Sequence, residues 1–340
     1  MDLDCRHSLF TRGNNFLGTT YPIMGGAMTW LSERNLVSAI SNAGGFGIIA
    51  CGSMQSEQLG EEIEATQKMT NKPFGVNLIL LHPDIDDLIE CCISKKVELV
   101  VFAGGFPKKR QIELLKSRGI KTMCFATTLS IAKKMIFYGI DSLVLEGSEA
   151  GGHIGPVSIN VLIQDILPEI KEVPVFVAGG IGRGEIILKF LQLGASGCQI
   201  GTRFVCATES IAHENFKKIF IKSEARNAQV SVKLDERFPI IPVRAIENSA
   251  TKEFVNEQKK LLSLIDKKKI SLREAQLEIE HFWAGSLKNA VINGDIENGS
   301  LMAGQSVSMV KEIQPVAKIF SDLLTQIDKQ LSTERRNNDA

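Results

Sequence analysis

Several features that define other classes of protein are missing from this 340-residue chain. No uninterrupted apolar run reaches the ~20 residues of a membrane-spanning helix, and residues 1–10 lack the apolar core of a secretory signal. Lys and Arg total 39 and Asp and Glu total 39, and this zero net charge argues against a nucleic-acid partner. The seven cysteines are scattered without a Cys-x-x-Cys pair, which favours reduced thiols. These absences predict a cytoplasmic protein without membrane or nucleic-acid partners.

Motifs for metal and acyl-transfer chemistry are absent too. No two of the five histidines have metal-ligand spacing, so we predict no metal site. No Gly-x-Ser-x-Gly motif occurs, and no cysteine stands beside a suitable base, so covalent acyl transfer is unsupported. His7, His213 and His281 have no glycine-rich neighbours and are interpreted as ordinary residues. His82 follows a predicted strand end, which could place it near the barrel mouth, but it is interpreted as a loop histidine.

Apolar runs typical of β-strands recur along the first part of the chain, with helix-like segments between them. The eight runs are residues 22–27, 46–50, 74–80, 99–104, 121–126, 142–146, 173–178 and 197–204. Each is nearly continuous in Val, Ile, Leu and Phe, as in strands buried on both faces. The alternation predicts a (β/α)8 barrel, with a doubly wound open sheet as the alternative, because one sequence does not reveal strand order. Glycine clusters after several strands favour the barrel, in which all carboxyl ends share one face.

The pattern of the chain changes near residue 208. We predict the barrel in residues 1–208 and a mainly helical, charged segment beside the barrel mouth, on the substrate side, in residues 209–300. Residues 301–340 are expected to contain a helix that packs back on the barrel.

The stretch from Glu146 to Gly155 follows the sixth predicted strand and contains Gly151, Gly152 and His153. Glycine lets the backbone approach a ligand closely, and histidine can transfer protons near neutral pH. A glycine-rich turn with a surface histidine is the alternative interpretation.

Glycines also follow the seventh and eighth predicted strands, where many barrels bind phosphate. Gly179, Gly180 and Gly201 would let backbone N–H groups reach phosphate oxygens, and Thr202 could add a hydroxyl donor. A Rossmann fingerprint is not supported, because its third glycine would fall on Glu185.

Five ordered motifs at barrel spacing resemble those of the FMN-dependent nitronate monooxygenase (2-nitropropane dioxygenase) superfamily, which includes the flavin-dependent enoyl-ACP reductase FabK. They occupy residues 22–28, 73–77, 146–155, 177–182 and 199–204. A sixth similarity, in residues 294–305, extends the resemblance over nearly the whole chain. The resemblance implies a barrel with FMN lying across its mouth.

The resemblance also implies a role for each matched residue. His153 matches the catalytic histidine of the superfamily. Gly25 and Gly26 would pass close to the isoalloxazine ring. The stretch Gln199, Ile200, Gly201 and Thr202 would hold the FMN phosphate. The other expected cofactor contacts are Asn77, Glu146, Gly151, Gly152, Gly179 and Gly180.

Two positions favour the FabK branch of the superfamily. Glu146 stands where nitronate monooxygenases usually carry Gln, and Ile154 stands where they usually carry Arg. This predicts an NAD(P)H-dependent enoyl-ACP reductase that saturates a 2,3 double bond. The alternative is oxidation of alkyl nitronates with O₂, and a more distant one is a flavin-free phosphometabolite isomerase. The substrate is expected to be a small molecule or bound to acyl carrier protein, and a homodimer is left open.

Overall fold

The computed structural model describes residues 3–236 and 240–338. The strands in these residues are β1 (Ile23–Gly25), β2 (Gly47–Ala50), β3 (Phe74–Ile79), β4 (Leu99–Ala103), β5 (Lys121–Phe125), β6 (Ser142–Glu146), β7 (Gly152–His153), β8 (Val175–Ala178), β9 (Gly197–Ile200), β10 (Ala228–Val230), β11 (Val243–Ile246) and β12 (Leu301–Met302). The α-helices are α1 (Leu3–Leu17), α2 (Arg34–Asn42), α3 (Ser56–Met69), α4 (Ile85–Ser94), α5 (Lys109–Ser117), α6 (Leu129–Phe137), α7 (Ile159–Ile166), α8 (Gly184–Gln192), α9 (Thr202–Val205), α10 (Glu214–Lys222), α11 (Ser249–Asp266), α12 (Leu272–Val291) and α13 (Val316–Asn338). Short 3-10 helices occupy Ala225–Asn227 and Gln305–Met309.

Eight parallel strands form one sheet in the order β1-β9-β8-β6-β5-β4-β3-β2. The two ends of this order meet, because Met24 in β1 forms a parallel bridge with Phe46 just before β2. The Phe46 N–H donates to the carbonyl oxygen of Ile23 over 2.9 Å, and the Gly25 N–H donates to that of Phe46 over 2.9 Å. The sheet is therefore a closed (β/α)8 barrel, which confirms the predicted fold over the doubly wound sheet.

The barrel strands are buried on both faces, as their continuous apolar sequences predict. One set of side chains, which includes Met24, Val101 and Phe176, fills the barrel interior. The alternate set, which includes Ile23 and Val177, packs outward against the helices. Because side chains alternate along a strand, each strand residue can be assigned to the interior or to the helix layer.

A second, smaller sheet combines distant parts of the chain. The strand β11 pairs antiparallel with β10, with β12 and with β7, where Val243 lies opposite His153. The helices α11 and α12 share an apolar cluster with β11 that contains Phe254, Ile279 and Trp283. This sheet is attached to the barrel through β7, which follows the carboxyl end of β6.

Some boundaries differ from the sequence predictions. The eighth barrel strand ends at Ile200, not at residue 204, because Thr202–Val205 forms the short helix α9. The segment 209–300 contains α10, α11 and α12 but also β10 and β11, which have no local sequence signature. The N-terminal residues form α1, for which no element was predicted, and the last helix begins only at Val316. The division of the chain at residues 208 and 300 stays a prediction.

In the described part of the chain, no helix is long and apolar enough to cross a membrane. Across the same ranges, no three His, Cys, Asp or Glu side chains cluster in a way that could hold a metal ion, and the absence of a metal stays a prediction. The cysteines whose side chains are described are buried free thiols.

Candidate active site

The segment after β6 turns back over the carboxyl end of the barrel and is held there by an arginine from the second sheet. Arg244 in β11 donates from Nε and Nη2 to the carbonyl oxygen of Ser148, over 3.0 and 2.9 Å. Its Nη1 donates to the carbonyl oxygen of Ala228 over 2.6 Å. Gly151 lies so close to the segment before α13 that a Cβ there would stand 2.5 Å from the nitrogen of Gly304. The loop is therefore held on one side by the Arg244 side chain and packs on the other against the backbone at Gly304.

His153 ends this loop and lies on β7, where the pairing with β11 sets its backbone. The next residue extends this pairing, because the Ile154 N–H donates to the carbonyl oxygen of Pro242 over 2.9 Å. The imidazole Nε2 lies 3.2 Å from Oε2 of Glu280 in α12, and the histidine side chain is 36% exposed. One ring nitrogen thus lies beside a carboxylate, and the side chain remains partly accessible, as proton transfer to a substrate requires.

A cradle of glycines follows β8 and β9, where the sequence predicts a phosphate site. Gly179 and Gly180 have φ values of +92° and +70°, a conformation that favours glycine. A Cβ at Gly179 would stand 2.9 Å from the carbonyl oxygen of Gly147, and one at Gly26 would stand 3.2 Å from Cα of Gly201. The loop after β8 therefore touches the loop after β6, and the loop after β1 touches that after β9, while Gly304 lies beside both Glu149 and Thr202.

The cradle offers hydrogen-bond donors that the protein itself does not use. The backbone N–H groups of Gly180 and Gly201 donate to no acceptor within residues 3–236 or 240–338. The Thr202 hydroxyl accepts from the Gly304 N–H over 3.0 Å, so its own proton is available to a ligand. Unpaired N–H groups cost free energy unless water or a ligand accepts from them. This donor set suits an anion such as a phosphate monoester.

Three polar side chains point into the barrel near its mouth, by the alternation of their strands. They are Asn77 in β3, Glu146 in β6 and Gln199 in β9. Asn77 donates from Nδ2 to the carbonyl oxygen of Val101 over 3.2 Å. The Glu146 carboxyl and the Gln199 amide have no hydrogen-bond partner among the described residues. Burial raises the pKa of Glu146 to about 8, so its carboxyl is mainly neutral at pH 7.

At two of the predicted cofactor residues, Gly25 and Ile200, the Cα–Cβ direction points away from the barrel mouth. A Cβ at Gly25 would stand 2.7 Å from Cδ1 of Ile40 in α2, so packing against this helix explains the glycine. The Ile200 side chain is buried in the apolar layer between the barrel and its helices. Both residues can reach the mouth only through their backbones. Gly152, with a φ of +77°, lies beside Met302 rather than in the cradle.

Two residues of the site had not been singled out in the sequence. Arg244 lies in a short strand without helical or strand periodicity, and Glu280 is one of several acidic residues in a charged helix. No local pattern distinguishes either residue from a solvated surface charge. Only the pairing of β7 with β11 reveals what they contact.

The chain is a TIM-barrel protein in which the donor cradle and the histidine lie at the same end of the barrel, an arrangement that could hold a cofactor beside a proton donor. The model of the nitronate monooxygenase family matches residues 11–326, and the chain belongs to this family. This confirms the predicted superfamily. The family is one of flavin-dependent oxidoreductases, which confirms the predicted class of enzyme.

Individual relatives carry different names. The chain is 32% identical over 228 residues to (3aS,4S,5R,7aS)-5-hydroxy-7a-methyl-1-oxo-octahydro-1H-indene-4-carboxyl-CoA dehydrogenase of Rhodococcus jostii; the match covers 67% of this chain but only 64% of that relative. It is 31% identical to a "Probable nitronate monooxygenase" of Staphylococcus saprophyticus, over 73% of this chain and 81% of the other. Among solved structures, FabK from Thermotoga maritima superposes with a TM-score of 0.85 and 34% identity, covering 96% of this chain and 98% of FabK.

Proposed function

We propose that the protein is an FMN-dependent enoyl reductase that uses NAD(P)H to saturate the 2,3 double bond of a carrier-bound enoyl thioester. The similarity to FabK over nearly the full length of both chains carries this proposal. The Rhodococcus relative is named as a dehydrogenase of a carboxyl-CoA, which is also a thioester. Glu146 and Ile154 support the same branch, because nitronate monooxygenases usually carry Gln and Arg at these positions.

The cradle residues fit FMN as the resemblance implies. The N–H groups of Gly180 and Gly201, with the Thr202 hydroxyl, would hold the phosphate. Glu146 would stand at the mouth as a neutral acid, able both to donate and to accept a hydrogen bond. The remaining proposed contacts are Gly25, Gly26, Asn77, Gly151, Gly152, Gly179, Gln199 and Ile200. When bound, FMN would carry a hydride from NAD(P)H to the β-carbon of the substrate.

His153 would supply the proton that completes the reduction. Hydride addition at the β-carbon breaks the π bond and leaves an electron pair on the α-carbon. A protonated imidazole at the mouth can donate to this carbon and regain its proton from water after product release. The ring is accessible on one side, and its backbone is fixed by β11, so it can meet the substrate without a large rearrangement.

Oxidation of alkyl nitronates is the second candidate, and membership of the nitronate monooxygenase family favours it. Here His153 would remove the α-proton of a neutral nitroalkane. Ile154 disfavours this candidate. Nitronate monooxygenases usually carry Arg at this position, whereas the buried apolar side chain of Ile154 provides no positive charge beside His153 for an anionic nitronate.

Anaerobic mixing distinguishes the two candidates. The purified yellow protein is first mixed with NADH or NADPH, and the bleaching of the flavin at its visible absorption band is followed. Crotonyl-ACP, crotonyl-CoA or an alkyl nitronate is then added to separate samples. We expect the nicotinamide to bleach the flavin and the crotonyl thioester to restore its colour.

The opposite pattern would establish the alternative. Bleaching by the nitronate, with no response to either nicotinamide, would show nitronate oxidation. A protein that stays colourless with added FMN would refute both flavin candidates and leave the flavin-free isomerase.

A further inference from the structure

A carboxylate from the helical segment faces the imidazole of His153. Glu280 Oε2 lies 3.2 Å from Nε2, and the two side chains are 29% and 36% exposed. The Nε2 atom itself is buried and not yet aligned for a hydrogen bond, so a small rotation of either side chain is needed to form one. The other ring nitrogen, Nδ1, has no partner within residues 3–236 or 240–338. The ring therefore has one nitrogen directed at an acid and one available to a substrate.

The helix α12 holds Glu280 firmly in place. It begins with a capping box in which Ser271 and Glu274 satisfy each other's backbone groups. Its buried face, which includes Ile279 and Trp283, packs against β11. The indole nitrogen of Trp30 donates to the carbonyl oxygen of Ala284 over 3.0 Å and ties this helix to the loop after β1. Glu280 is thus presented by a supported helix and not by a loop.

We propose that Glu280 is a positioning residue for His153, holding the Nε2 proton so that Nδ1 faces the substrate. This inference rests on the proposed role of His153 in proton transfer. A carboxylate beside one imidazole nitrogen selects the tautomer that carries its proton there. After Nδ1 gives its proton to the substrate, the ring is left in that same tautomer. No rotation of the ring is then needed between turnovers.

The alternative is an ordinary surface ion pair, which contributes little to stability or function. Two variants separate these roles. Glu280→Leu removes the acceptor, and Glu280→Gln restores an acceptor without the charge. Glu278→Gln is the matched control, because Glu278 lies on the same helix and is exposed. All variants are compared as flavin-loaded protein.

The first measurement determines the tautomer of His153 by ¹⁵N NMR of histidine-labelled protein. The His153 signals are assigned as those that are missing from the spectrum of His153→Ala. We expect the Nε2–H form in the wild type and in Glu278→Gln, a mixture of tautomers in Glu280→Leu, and partial return in Glu280→Gln. This readout does not depend on any reaction. An unchanged tautomer in Glu280→Leu would overturn the inference, even if the enoyl reductase function is correct.

The second measurement is the rate of flavin reoxidation by crotonyl thioester after reduction by NADH. We expect Glu280→Leu to lower it about 10- to 100-fold, less than the about 10²–10⁴-fold that general acid–base catalysis contributes, because His153 itself remains; the reduction by NADH should be unchanged. The double variant His153→Ala/Glu280→Leu should react within about twofold of His153→Ala, because Glu280 acts through the ring. Losses that multiply in the double variant would refute the proposal. If the wild type reduces no enoyl thioester but the tautomer shifts as expected, the proposed function fails and the pairing stands.

Discussion

Glu146 provides the sharpest test of the electrostatics of the barrel mouth. Its carboxyl points into the barrel, has no hydrogen-bond partner among the described residues, and has a pKa raised by burial to about 8. Replacement with Gln keeps the shape and the pair of donor and acceptor groups but removes the titration. The stability of wild type and Glu146→Gln should therefore diverge as the pH rises.

The sign and the size follow from proton linkage. The unfolded carboxyl titrates near 4.5 and the folded one near 8, so between these values the folded state binds more protons. The wild type is thus stabilised fully below pH 4.5 and loses this contribution as the pH rises to 8. Full ionisation costs at most about 5 kcal/mol at about 1.4 kcal/mol per pKa unit. Because the Glu146 side chain is only partly buried, solvent screens its charge, and we expect roughly 2 kcal/mol.

Urea denaturation of the flavin-stripped proteins, followed by circular dichroism at pH 5 and pH 8.5, measures this difference. Relative to the wild type, Glu146→Gln should gain roughly 2 kcal/mol of unfolding free energy between the two pH values. The exposed Glu278 provides the control, and Glu278→Gln should show no such gain. An equal difference between wild type and Glu146→Gln at both pH values would show that the mouth carboxyl is ionised throughout, and that our account of its burial is wrong.

Three further predictions concern the loops of the site. Gly201→Leu should fold normally, because a Cβ there meets only the flexible side chain of Met28, yet it should lose FMN; normal flavin content would place the phosphate elsewhere. His153→Ala should keep FMN and its bleaching by NADH, while turnover of the enoyl substrate falls about 10²–10⁴-fold; turnover per flavin within about twofold of wild type would refute its catalytic role. Arg244→Met leaves the carbonyl oxygens of Ser148 and Ala228 without their donor and should lower the unfolding free energy by about 2–4 kcal/mol in urea, and an unchanged midpoint would contradict this.

The barrel could be predicted because each of its strands has a recognisable local sequence pattern. Continuous apolar runs separated by helical periods mark parallel strands buried on both faces, and the run in β4 (Leu99–Ala103) is an example. The cradle was also predictable, because the positive φ values of Gly179 and Gly180 require glycine, and a glycine pair after a strand is visible in sequence. Strand order was not visible, and closure depended on the pairing of Met24 with Phe46.

The second sheet could not be predicted, because its strands are two to four residues long and their partners are remote in sequence. A two-residue strand such as β7 has no measurable periodicity, and its identity depends on β11. Gly25 illustrates a different limit. A glycine needed for packing against Ile40 and one needed for approach to a ligand look alike in a sequence.

The two halves of the site are built on different supports. The glycine cradle consists of the ends of barrel strands, whose positions are set by the parallel sheet and its apolar interior. His153 belongs instead to the small sheet with β11, beside Glu280 on α12. Substitutions within α11 and α12 can therefore reposition the histidine and reshape the space around it while the N–H groups of the glycine cradle stay fixed. This separation provides a physical reason why relatives that share one barrel can carry names as different as nitronate monooxygenase and carboxyl-CoA dehydrogenase.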